Sequence, residues 1–168
     1  MTKRVVLSII YFVVSVALLS CNVQKPVNGS AFIAFSPAEG WYKNSSLVFK
    51  LDAAEADSPS RSLVFTLQLV ETYNYRVDDT LYFALTFHSP ENNLYSDTLK
   101  VPALMADKSV RQRRNNGIIE MEIPYATNIK NMECGGWEIK IDKCKATSNR
   151  NLYKYIAGLG AYITEYGI

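Results

Sequence analysis

One histidine, three cysteines and sixteen carboxylates are the side chains of this 168-residue chain best equipped for chemistry. General-base work by His88 would need a hydrogen-bonded nucleophile and an orienting acid. His88 closes the run Thr80–His88 on the face opposite Leu81, Phe83, Leu85 and Phe87, beside a turn with Pro90. Nothing in the sequence brings it those partners, and it reads as a partly exposed strand-end residue. A glycosidase could use two carboxylates from distant strands, and Asp78-Asp79 and Glu120/Glu122 are the pairs at hand. Glu120 and Glu122 alternate with Ile119, Met121 and Ile123, the pattern of a strand's solvated face. No G-x-S-x-G, H-E-x-x-H or glycine-rich phosphate loop occurs. The spacing calls for no catalytic residues, no metal and no cofactor.

The cysteines divide into two kinds. Cys134 and Cys144 flank Gly135–Lys143, which alternates apolar and polar like one strand. Ten residue steps at about 3.3 Å would separate their Cα atoms by roughly 30 Å, against the ~7 Å that a disulfide tolerates. Both are therefore expected unpaired, and without a supporting His pair they make a poor zinc site. Cys21 is different. It follows Lys3, Arg4 and an apolar run from Val5 to Leu19 that only Ser8 and Ser15 interrupt. That is the n-region and h-region of a secretory signal, shorter than the ~20 residues of a comfortable membrane span. Leu18-Leu19-Ser20-Cys21 resembles a bacterial lipobox, in which the cysteine thiol is diacylated, the peptide is cut before it and the new amine is acylated. The expectation is a signal peptide over 1–20, lipidation at Cys21, a polar tether over 21–30 and one domain over 31–168.

Processing changes the charge. Lys3 and Arg4 leave with the signal and no acid does, so sixteen bases face sixteen acids. A near-neutral domain gives no reason to expect nucleic acid as a partner, because that contact needs surplus Lys and Arg to displace counterions. The one compact basic patch, Lys108, Arg111, Arg113 and Arg114 before Asn115-Asn116-Gly117, reads as a solvated loop.

Short period-2 runs recur along the domain: Ala31–Phe35, Leu47–Leu51, Leu63–Leu69, Thr80–His88, Leu99–Val101, Ile119–Ile123, Trp137–Ile141 and Tyr155–Thr164. Turn formers fill the gaps, as in Ser89–Asn93 and Lys145–Asn151. About eight short strands with one polar face each predict an all-β, antiparallel β-sandwich, jelly-roll or immunoglobulin-like. Phe83 should be buried between the sheets and Tyr82 should face outward. Gly158 and Gly160 suggest a bulge or a close backbone approach. Of eleven tyrosines, several fall on polar faces or in turns, including Tyr42 and Tyr95. Tyr73, Tyr75 and Tyr82 form the candidate binding face, since exposed tyrosines stack on sugars or make protein contacts.

The order of segments resembles the gliding-motility lipoproteins of the GldH family of Bacteroidota. The likeness rests on the lipobox and tether, Gly40-Trp41 before Leu47-Val48-Phe49, and Tyr73 and Tyr75 leading into Asp79-Thr80-Leu81-Tyr82-Phe83. It continues through Asp97-Thr98-Leu99-Lys100-Val101-Pro102, Ala106-Asp107, Gly136-Trp137-Glu138-Ile139-Lys140-Ile141 and Ile156-Ala157-Gly158-Leu159-Gly160. The resemblance implies an outer-membrane lipoprotein without catalytic residues, serving as a component of a cell-envelope complex through protein contacts. It also implies O-glycosylation at Thr80 and Thr98, each in an Asp-Thr-aliphatic pattern. Asn22-Val23-Gln24-Lys25 lacks the acidic residues of surface-exported relatives, which favours the periplasmic face. A glycan-binding module using the exposed tyrosines is the alternative.

Overall fold

The computed structural model describes residues 29–36, 38–41, 46–53, 60–71, 75, 79–102, 111–130, 132–147 and 150–165. The signal peptide, Cys21, Tyr42, Tyr73 and Lys108 lie outside these residues.

Nine strands stand among the described residues: β1 (Ser30–Ala34), β2 (Leu47–Ala53), β3 (Ser60–Val70), β4 (Thr80–His88), β5 (Leu94–Pro102), β6 (Arg111–Asn115), β7 (Ile118–Lys130), β8 (Gly135–Lys143) and β9 (Ile156–Thr164). A short 3-10 helix, Arg150–Tyr155, leads into β9. The strands form two antiparallel sheets, ordered β1-β9-β3-β7-β6 and β2-β8-β4-β5. Partners nest around the middle of the chain: β1 with β9, β2 with β8, β3 with β7, and β4 with β5. A long antiparallel ribbon rolled up this way is a jelly roll, with β6 added at one edge. In the immunoglobulin arrangement β1 would pair with β2, so the topology is the jelly roll.

The alternation in the sequence becomes the alternation of burial. Leu47, Phe49, Leu51 and Ala53 of β2 point inward while Val48, Lys50 and Asp52 point out. Leu81, Phe83, Leu85 and Phe87 do the same on β4. Facing them from the other sheet are Leu63, Phe65, Leu67 and Leu69 of β3 and Ile119, Met121 and Ile123 of β7.

β9 is covered on both faces. Gly158 and Gly160 leave room on its outer side for the Phe32 ring, which a Cβ at either position would overlap. A β-bulge also falls beside Gly158, between the Gln68 and Leu69 pairs of β3 with β9, so both expectations for these glycines hold.

One end of the sandwich is closed. Trp41, 1% exposed, stacks between Phe35 and Phe83 with centroids 6.1 and 6.0 Å away and meets Tyr153 edge-on at 5.8 Å. Gly40 makes this plug fit. Its φ is +54°, and a Cβ there would run into the Lys154 backbone. The Tyr153 hydroxyl ties the end together. It donates to the Tyr82 carbonyl (2.6 Å), accepts from the Cys144 amide (3.1 Å) and shares a hydrogen bond with Thr147 (2.7 Å).

Two expectations change. The basic segment Arg111–Asn115 is a strand, not a loop. Asn116 and Gly117 both take positive φ, 47° and 76°, the two-residue turn whose twist suits a hairpin. Opposite charges across strands help: Arg111 lies 3.9 Å from Glu122, and Arg114 reaches Glu71 at 3.5 Å. Arg111 and Arg114 thus face carboxylates. β7 also runs on past Ile123 to Lys130. Its pairing with β6 stops at Glu122, so Pro124 lies where β7 is an edge, a position that tolerates proline.

Candidate functional site: an apolar pocket and an open edge strand

The end opposite Trp41 is open. A pocket of about 330 Å³ enters there between the sheets. Its floor is aliphatic, built from Leu51, Leu63, Ile139 and Ile163. Tyr125 of β7 forms a wall. Its ring stacks on Phe87 (5.5 Å, 25°) and meets Phe65 edge-on (5.5 Å, 81°). Tyr95, Met132, Glu133 and Trp137 complete the lining.

The polar groups around the pocket are committed to one another. The Tyr125 hydroxyl donates to Asp97 Oδ2 (2.5 Å), and the Thr98 amide donates to Asp97 Oδ1 (2.6 Å). These two bonds, the Tyr125 one foremost, hold the Asp97 carboxyl below its ordinary pKa. Burial and the facing Asp97 push the Tyr125 phenol up. Trp137 Nε1 donates to the Glu133 carbonyl (2.9 Å). The Glu133 carboxylate accepts from the Glu91 amide and Asn93 Nδ2, each at 3.4 Å. A bond from the Ser89 hydroxyl is the main cause of its lowered pKa. Glu133 thereby pins the β4–β5 turn against the pocket rim.

The rim continues into β5. Leu94 through Thr98 is exposed on both faces, with Leu94 61% and Tyr95 49% exposed. Among the described residues no strand pairs with the outer edge of β5. Nor does any cluster of three or more His, Cys, Asp or Glu occur among them that could hold a metal ion.

Of the tyrosines expected to form one binding face, Tyr75 and Tyr82 are among the described residues, and they do not both face solvent. Tyr75 is buried, 7% exposed. Its ring sits edge-on to Tyr155 and its hydroxyl donates to the Val70 carbonyl (2.8 Å). This corrects the reading of Tyr75 as an exposed contact: an apolar ring with a polar tip has packed over the closed end and found a backbone acceptor there. Tyr82 is half-buried on the outer side of β4, also near the closed end, while Tyr95, which was not assigned to that face, lines the pocket.

The two threonines differ as well. Thr98 is exposed on the β5 edge, whereas Thr80 is half-buried opposite Pro102 and follows a buried Asp79. His88 is exposed at the end of β4, as its position in the sequence suggested. Cys134 and Cys144 flank β8 as free cysteines, the first exposed and the second half-buried. Tyr125, Glu133 and Trp137 were not singled out as site residues. Tyr125 lay beyond the proline where the alternation broke, and Trp137 read as core.

Compared with known proteins, the chain matches no family model, no curated protein and no solved structure.

Proposed function

We propose that this chain is a non-enzymatic, lipid-anchored component of a cell-envelope complex of the gliding-motility type. It is held through Cys21 at the periplasmic face of the outer membrane and acts by protein contact. The observation that carries the contact reading is the β5 edge. A long, unpaired edge with exposed apolar side chains is a hazard that monomeric proteins blunt with charge, proline or a covering element. On β5 the charges and the proline (Asp97, Lys100, Pro102) fall toward its far end, while Leu94 and Tyr95 stay exposed at its start, which supports pairing of that part with an extended segment of a partner. Supporting the non-enzymatic reading, the carboxylates and hydroxyls around the pocket hydrogen-bond to one another. Glycan binding, the second reading, draws on Tyr95 and Trp137 at the pocket rim, whose faces could stack on a sugar.

The test is affinity capture of the native lipoprotein after in-cell crosslinking, with and without paired Leu94→Lys and Tyr95→Lys substitutions. An envelope protein captured by the wild type and lost from a folded variant supports the contact reading. Equal capture by both would refute the edge as its basis, and glycan-array binding without a stable partner would favour the second reading.

A further inference from the structure

The pocket and the point where the chain enters the domain share one end of the sandwich. The Gly29 carbonyl accepts a hydrogen bond from the Ile163 amide (3.3 Å), and Ile163 lines the pocket. Ser30 then pairs with Tyr162 as β1 begins. Eight residue steps separate Cys21 from Gly29, and at about 3.6 Å each they reach at most ~29 Å. An anchor at Cys21 therefore keeps the pocket end within about 29 Å of the bilayer. The Trp41 end lies a strand length from it, roughly 30 Å for a nine-residue strand.

We infer that the pocket accepts one acyl chain of a bilayer lipid. The lining decides the chemistry. Leu51, Leu63, Ile139 and Ile163 present no donor or acceptor, and the Tyr125 hydroxyl and Trp137 N–H are spent on Asp97 and Glu133. A sugar reaching that floor would give up its water with polar partners only at the rim, at Tyr95 and Glu133, at a cost for each unsatisfied hydroxyl. A methylene chain loses nothing and leaves water for an apolar floor. The volume, about 330 Å³, is at the small end of ligand pockets, which run ~300–1,000 Å³. It suits part of a single chain rather than a whole lipid or a folded segment. The orientation rests on the lipid-anchor reading; the chemistry of the pocket does not.

The experiment uses the mature full-length lipoprotein reconstituted into phosphatidylethanolamine vesicles containing a phospholipid with a diazirine on its acyl chain. After illumination, adducts should concentrate on the 125–137 segment. They should fall at least tenfold in Ala126→Trp, whose indole occupies the space; Met132→Trp serves if that variant does not fold. Free fatty acids should compete, each added methylene improving competition about fourfold until the pocket is full. Adducts spread equally over the exposed Phe32 and Val48 would overturn the inference. So would no adduct in the pocket. Intact mass before reconstitution reports Cys21 acylation separately. If Cys21 is unacylated the anchor reading fails by itself, and a soluble diazirine palmitate, which needs no anchor, then decides the pocket: labelling of 125–137 sustains the inference and its absence ends it.

Discussion

Phe83 and Tyr82 are adjacent on β4 and should respond very differently to truncation. Phe83 is 0% exposed. Its ring lies 6.0 Å from Trp41 in a stacked arrangement and 5.9 Å from Tyr153 edge-on. Replacing a buried Phe with Ala costs about 3–5 kcal/mol. The two ring contacts, worth ~0.5–1.5 kcal/mol each beyond area burial, place Phe83→Ala in the upper half of that range, about 4–5 kcal/mol. Tyr82 contributes mainly through its backbone. Its amide donates to Thr147 Oγ1 (2.9 Å), and its carbonyl accepts from the Tyr153 hydroxyl and the Cys144 amide. Tyr82→Ala keeps all three bonds and removes only a half-buried ring, so it should cost under about 1 kcal/mol. Urea unfolding followed by tryptophan fluorescence separates the two. With a slope of ~2 kcal/mol per molar, Phe83→Ala should lower the midpoint by about 2 M and Tyr82→Ala by less than about 0.5 M. A Tyr82→Ala loss equal to or larger than that of Phe83→Ala would refute the register, because a slip of one residue exchanges the two faces.

Gly40→Ala should destabilise by roughly 2–4 kcal/mol. A non-glycine residue at φ +54° is strained and its Cβ would displace the Lys154 backbone, which melting-temperature measurements would register. Acid should weaken the pocket end. Asp97, held down by the Tyr125 hydroxyl, and Glu133, held down by the Ser89 hydroxyl, both have folded pKa values below their unfolded ones. Their stabilisation is complete above the unfolded carboxyl pKa of about 4 and is lost as pH falls through the folded values. Urea midpoints between pH 7 and 3 should drop less steeply in the Asp97→Asn, Glu133→Gln double variant, and an unchanged slope would refute the assignment. Cys134 should react with a thiol reagent in the folded protein without prior reduction, and Cys144 more slowly until urea exposes it. If the domain is O-glycosylated at its Asp-Thr-aliphatic patterns, Thr98→Ala should remove more glycan mass than Thr80→Ala, because Thr98 is exposed on an open edge and Thr80 is half-buried.

Most of the fold could be read from alternation, and the reasons for the misses are physical. Thr80–His88 has the same bounds as β4 because its polar and apolar residues alternate without a break and Asp79 and Pro90 flank it. Arg111–Asn115 has no apolar alternation at all. It becomes a strand because Asn116-Gly117 turns the chain back onto β7 and Glu122 receives Arg111, so the turn dipeptide was the signal to follow. Pro124 hid the second half of β7, since a proline argues against a strand until the neighbouring strand is known to have ended.

The pocket lies beyond this kind of reading. Its lining comes from seven strands, β2, β3, β4, β5, β7, β8 and β9, together with Met132 and Glu133 before β8. Apart from Tyr95 of β5, the strand residues concerned look like ordinary core. Alternation says which side chains point between two sheets; it does not say whether they fill the space at the ends. At one end Trp41, carried in by Gly40, fills it. At the other the chain supplies Tyr125 and Trp137 as walls, turns their polar atoms onto Asp97 and Glu133, and leaves the middle empty. The same inward-facing pattern thus yields a sealed core at one end and an open cavity at the other. The difference is decided by the loops and strand ends rather than by the strands that the sequence displays most clearly.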